Sequence, residues 1–208
     1  MIMETRNKKQ KTNDTGFLAR SRSAAFTLIE LLVVTAIIVV VTGTILASSS
    51  RLGGQFILDN FAYDLALTLR EAQQYGISVK NFSGNFNVAY GVHFDSNNAI
   101  TYELFADVDS NGKYDPGSEL VQSYTITRGF KIASICATPN GVGVENCSIT
   151  SLDILFKRPE PDALISASGV SCTLAPTNCQ ASARILMIAP RGNTRSVVMP
   201  ANGQMSVQ

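Results

Sequence analysis

An apolar run from Phe26 to Ala47, FTLIELLVVTAIIVVVTGTILA, constrains this chain more than any other stretch in it. Its 22 residues hold one charge, Glu30. At ~1.5 Å rise per residue such a helix reaches roughly 33 Å, enough to cross a hydrocarbon core of about 30 Å. A carboxylate in such a segment is unfavourable by about 1 to 3 kcal/mol even near a helix end, so Glu30 calls for a partner. The competing reading puts it at headgroup level with no role.

Charge sets the sidedness. Residues 1–25 hold Arg6, Lys8, Lys9, Lys11, Arg20 and Arg22 against Glu4 and Asp14, a net of +4; since the whole chain carries +1, the residues after Ala25 carry −3. A basic leader is retained in the cytoplasm, which sends the C-terminal part outward. The acidic remainder gives no support to general nucleic-acid binding. A secretory signal peptide has an apolar region of only about 7 to 15 residues, so cleavage near Ala47-Ser48-Ser49 is the weaker alternative. An uncleaved signal anchor is the other.

The residues around the charge decide between these. Ala25-Phe26-Thr27-Leu28-Ile29-Glu30 resembles the processing site of type IV pilins and type II secretion pseudopilins. In that family a dedicated peptidase cuts between a small residue and Phe and then N-methylates the new terminus. The resemblance implies cleavage between Ala25 and Phe26, a methylated Phe26, and Glu30 as the fifth residue of the processed chain. It also implies the partner that a charge in an apolar segment calls for, the terminal amine of a neighbouring subunit. A basic leader, a small residue before Phe, Glu at this offset and an unbroken spanning run coincide here, where any one alone is weak.

Beyond the span, Gly53-Gly54 is expected to loosen the helix as it leaves the membrane. From there the pattern is amphipathic, with Phe56, Phe61, Leu65, Leu69 and Ala72 on one stripe and a helix end near Tyr75-Gly76. Asp64-Leu65 and Leu69-Arg70-Glu71-Ala72 resemble, with spacing only approximately kept, a run shared by minor pseudopilins of the H type and FimT-like minor pilins. Many major pilins carry a helix-kinking proline early in the processed chain, whereas Phe26 to Tyr75 has none, which points to a minor pilin or pseudopilin.

After Gly76 the period shifts toward two. Candidate strands are Asn87 to Asp95, Ala99 to Ala106, Glu119 to Thr127, Phe130 to Ile135, Ser151 to Phe156, Ala183 to Ala189 and Arg195 to Met199, divided by Asn, Gly, Pro and Ser clusters. The expected fold class is α+β: a long N-terminal helix, half membrane-spanning and half amphipathic, on an antiparallel β-sheet or small β-sandwich. The expected divisions are a leader over 1–25, an assembly helix over 26–52, an amphipathic helix over 53–79 and a β-rich head over 80–208. With 45% hydrophobic and 16% charged residues the head has the material for a packed core.

Within the head, Asp107-Val108-Asp109-Ser110-Asn111-Gly112-Lys113-Tyr114-Asp115 follows the first part of an EF-hand-type calcium loop, with ligands at Asp107, Asp109, Asn111 and Asp115. The twelfth position, which wants a bidentate Glu, is Ser118, with Glu119 one place later, and a polar hairpin turn is the competing reading. Calcium is thus the one candidate cofactor. Cys136, Cys147, Cys172 and Cys179 form an even set in a part that faces an oxidising compartment. Of three possible pairings the sequential one, Cys136 with Cys147 and Cys172 with Cys179, is expected.

Catalytic machinery is not expected. The single histidine, His93, lies in a strand pattern as a half-buried structural imidazole, and neither a nucleophile motif nor a phosphate-binding loop is present. Arg184, Arg191 and Arg195 are a candidate DNA-contacting patch; Gly192-Asn193-Thr194-Arg195 resembles the closing strands of the H-type and FimT-like group, some of whose members bind DNA during uptake. Solvated edge-strand charges are the alternative. The resemblance implies a structural subunit of the inner membrane, single-pass, with its head periplasmic or extracellular. Its partners would be other pilin or pseudopilin subunits, the prepilin peptidase, the assembly platform and the bilayer. A membrane-anchored domain that never assembles is the contrasting reading.

Overall fold

The computed structural model describes residues 26–141 and 143–208, with side chains described for all of these except 48–53. They divide into two compact units at Leu46/Ala47. Helix α1 runs from Leu28 to Ile77, 50 residues, and belongs to both. The looser stretch expected at Gly53-Gly54 is not found, since the helical backbone continues through it. Each glycine weakens a helix by only about 0.5 to 1 kcal/mol relative to Ala, too little to stop one propagated from both sides.

In the first unit every described residue is solvent-exposed. The stretch Leu28–Ala47 has a mean hydropathy of 2.6 and no buried residue. Its hydroxyls are closed locally: Thr35, Thr42 and Thr44 donate to the carbonyls of Leu32, Ile38 and Val41. That back-bonding removes the cost of an unsatisfied hydroxyl in an apolar surrounding.

The second unit is α+β. Strands β1 (Ala89–Asp95), β2 (Thr101–Asp107), β3 (Leu120–Thr125), β5 (Ser151–Phe156) and β6 (Ala163–Ala167) form one sheet in the order β3-β2-β1-β5-β6. Strands β4 (Lys131–Pro139), β7 (Gln180–Ile188), β8 (Thr194–Pro200) and β9 (Ser206–Val207) form a second in the order β4-β7-β8-β9. All pairings are antiparallel. A single core joins them: Leu65 and Leu69 of α1 cluster with Val92, Ile154 and Ile165 of the first sheet and Ile185, Met187 and Val197 of the second.

The buried stripe of α1 is Leu58, Ala62, Leu65, Leu69 and Ala72, spaced alternately by four and three as one helical face requires. Leu65, Leu69 and Ala72 were on the expected stripe, but Phe56 is 67% exposed, because a helix that buries Leu65 and Leu58 turns position 56 away. Each fully buried leucine contributes about 1.5 to 3 kcal/mol. Near its end α1 touches β5: a Cβ on Gly76 would lie 2.3 Å from the carbonyl oxygen of Phe156. Gly76 is therefore a contact point inside the helix, which extends to Ile77.

Candidate functional site

Two regions carry chemistry, the start of α1 and the β2–β3 loop. At the first, Thr27 caps the helix: its Oγ1 accepts from the Glu30 N–H at 3.2 Å and its carbonyl from the Leu31 N–H at 3.1 Å. Thr-x-x-Glu is the spacing of a capping box, and Glu30 lies in the first helical turn, where a carboxylate is favoured by the orphan amides. Phe26 is 73% exposed, Leu28 81% and Ile29 64%. The expected cleavage point is half outside the described residues, since Ala25 and the leader are not among them. What the structure gives is an apolar cylinder that nothing in its own unit covers, with a carboxylate one turn from its end.

A family model for the prokaryotic N-terminal methylation motif matches residues 20–46, which takes in Ala25, Phe26, Glu30 and nearly the whole span. Over those residues the match supports the resemblance to type IV pilins and pseudopilins. Together with the apolar helix, the motif supports a membrane-anchored, pilin-like substrate of prepilin peptidase. No curated protein and no solved structure matches the pilin-like chain.

The head of this pilin-like protein holds two disulfides, Cys136–Cys147 and Cys172–Cys179, the sequential pairing. The first closes a loop that also carries an ion pair: Arg184 on β7 donates from Nε to Glu145 Oε1 at 2.7 Å and from Nη2 to Glu145 Oε2. Arg184's hydrogen bond holds the Glu145 carboxyl below its ordinary range. Arg195 on β8 donates from Nε to Asp59 Oδ1 on α1 at 2.5 Å. These two arginines stand opposite Val198 and Met187 in the β7–β8 ladder and each faces its own carboxylate, so the structure does not gather them into one basic patch. Arg191 lies in the turn between the two strands.

In the β2–β3 loop the structure departs from the expected ligand set. Asn111 spans Asp109 and Asp115, its Nδ2 donating to Asp109 Oδ2 and Asp115 Oδ2, both at 2.8 Å, while its Oδ1 accepts from the Lys113 N–H. The carboxylates that converge are Asp107, Asp109 and Glu119, with one oxygen of each within 4.8 Å of the others. Asp115 is not in that set. The physical reason is topological: this loop joins two paired strands rather than two helices. Pairing of Ala106 N–H with the Glu119 carbonyl brings Glu119 back beside Asp107 without regard to twelve-residue spacing.

Burial pushes the Asp107 carboxyl up to about 6, despite a hydrogen bond from the Gly112 N–H, with the charges of Glu119 and Asp109 adding to the rise. Glu119 is raised as well, chiefly by burial. Beside the loop, the Asp153 side chain of β5 was not anticipated: it accepts from His93 and from the Tyr114 N–H. Its place in β5 as a buried acid inside an apolar strand was the available signal.

Proposed function

We propose that this chain is a minor pilin or pseudopilin. It is cut between Ala25 and Phe26, methylated on the Phe26 amine, and held in the inner membrane by Leu28–Ala47 with its head on the periplasmic or extracellular side. From there it enters a type IV pilus or type II secretion pseudopilus. The carrying observation is the methylation motif over 20–46 on a span with no buried residue and a lone carboxylate one turn in. In a fibre, packed N-terminal helices cover the apolar surface, and Glu30 pairs with the Phe26 amine of an adjacent subunit in a low dielectric. The absence of proline in α1 favours a minor pilin or pseudopilin, and the Asp64 to Ala72 pattern favours the H-type and FimT-like group. Contact with DNA is left out of this reading, because Arg184 and Arg195 each face a carboxylate.

Intact mass and N-terminal sequencing of protein recovered from membranes test it. The expected terminus is a methylated Phe26. A terminus at Met1, or one near Ser48, would sink the proposal.

A further inference from the structure

The β2–β3 loop contains a buried acid that its own surroundings leave half-satisfied. Asp107 is 3% exposed. Its Oδ2 accepts from the Gly112 N–H at 3.1 Å, whereas its Oδ1 has no hydrogen-bond partner, an orphan that folded proteins rarely tolerate. The same carboxylate stands with Asp109 and Glu119 in a set whose oxygens all lie within 4.8 Å. Glu119 is 1% exposed, so two of the three acids are removed from water. No lysine, arginine or histidine forms an ion pair with any of them among the described residues. Three carboxylates brought together, one with a bare oxygen, are an arrangement that a cation would stabilise.

We propose that Asp107, Asp109 and Glu119 bind a hard divalent cation, calcium first among them. The donors are all oxygen, with no imidazole or thiolate in the set, which disfavours zinc. Three carboxylates fall short of the six to eight oxygens calcium takes, so main-chain carbonyls and water complete the shell. Glu119 is held from both sides: its Oε1 accepts from the Val108 N–H at 2.8 Å and its Oε2 from the Asp115 N–H at 2.9 Å. The loop is also fixed from outside, where Ser166 and Ser171 donate to the carbonyls of Gly112 and Asn111. Such anchoring means the site does not have to be ordered by the ion. The opposing arrangement has a proton on Asp107 and no ion.

The test uses the full chain, purified in detergent and stripped with EGTA. Thermal unfolding is followed with calcium, then with magnesium, each up to about 5 mM, a range that covers extracellular-type calcium sites. Terbium is a second probe, since Tyr114 within the loop can sensitise its emission. Calcium should raise the Tm more than magnesium does and should displace terbium. Asp109→Ala, which changes an exposed side chain, and Glu119→Gln should each weaken calcium binding by about tenfold or more. The absence of a calcium-dependent shift in the wild type would overturn the proposal. So would a shift of equal size at equal calcium in the wild type and Asp109→Ala.

Discussion

His93 Nδ1 lies 2.6 Å from Asp153 Oδ1, at directly opposed positions of β1 and β5. Asp153 is 2% exposed and the imidazole 16%, so neither is well screened by water. Burial alone pulls the imidazole pKa down, but the hydrogen bond and charge of Asp153, with the charges of Glu103 and Asp95, outweigh it and raise the value overall. Tyr114 packs on the ring at 5.0 Å between centroids.

A raised imidazole pKa in the folded state gives a stability contribution that is complete below the unfolded value of about 6.5 and is lost as pH climbs through the folded value. Stability should therefore fall with rising pH from about 6.5 upward, and this component should vanish in His93→Gln. His93 is the only histidine in the chain, so its titration can be followed by NMR without assignment. A measured value at or below the ordinary imidazole pKa would contradict the pairing.

The contribution proposed for Glu30 is of a different kind, between subunits. Replacing it with Ala or Gln leaves the Phe26 side of the cleavage site unchanged, so processing to a Phe26 terminus should persist. Incorporation into fibres should drop about tenfold or more, the effect of losing about 1.4 kcal/mol at one subunit contact. Counting processed subunits in sheared fibres against those left in the membrane measures it. Equal incorporation of wild type and Glu30→Gln would remove the proposed amine contact.

The Cys136–Cys147 bond closes a loop of 11 residues' separation that carries Glu145, the partner of Arg184. Loop-closure entropy assigns about 2 to 3 kcal/mol to such a bridge. The double replacement Cys136→Ser with Cys147→Ser should lower stability by that amount in denaturant unfolding. Because Cys136 is fully buried, the serine there adds a desolvated hydroxyl, and Cys136→Ala with Cys147→Ala separates that cost from the bridge. A change below about 0.5 kcal/mol in the alanine pair would show that the loop is held by its other contacts.

What could be read in the sequence depended on how local the determinant was. Strand β5 over Ser151–Phe156 has the expected bounds, because SLDILF is a dense apolar run with turn residues on both sides. Strand β6 over Ala163–Ala167 was missed: ALISA has a single β-branched residue and follows Pro159 and Pro161, and it becomes a strand by pairing with β5. Strand β9, two residues long, exists only through β8. In the β2–β3 loop the acids Asp107 and Asp109 were legible as a cluster, while Glu119 read only as an acid one place past the twelfth ligand position, because its place beside them is set by strand pairing rather than by spacing from Asp107. The membrane span needed no tertiary context, being a matter of length and hydropathy alone.

Two glycines of α1 should respond to alanine with opposite signs. At an open helical position Ala is favoured over Gly by about 0.5 to 1 kcal/mol, through lower backbone entropy in the unfolded chain. Gly54 is such a position, with nothing within 4 Å of a Cβ built on it. At Gly76 the added carbon would sit 2.3 Å from the Phe156 carbonyl oxygen and 2.9 Å from its Cβ. The first of these is backbone of β5, flanked by the fully buried Leu155, and cannot rotate aside as a side chain could. Gly76→Ala should thus cost about 1 to 3 kcal/mol through overpacking, a Tm loss of several degrees at about 2 to 4 °C per kcal/mol. Gly54→Ala should be neutral or slightly stabilising. Matching Tm changes in the two variants would mean that α1 does not approach β5 as closely as the structure has it, and Gly76 would revert to the role of a simple helix stop.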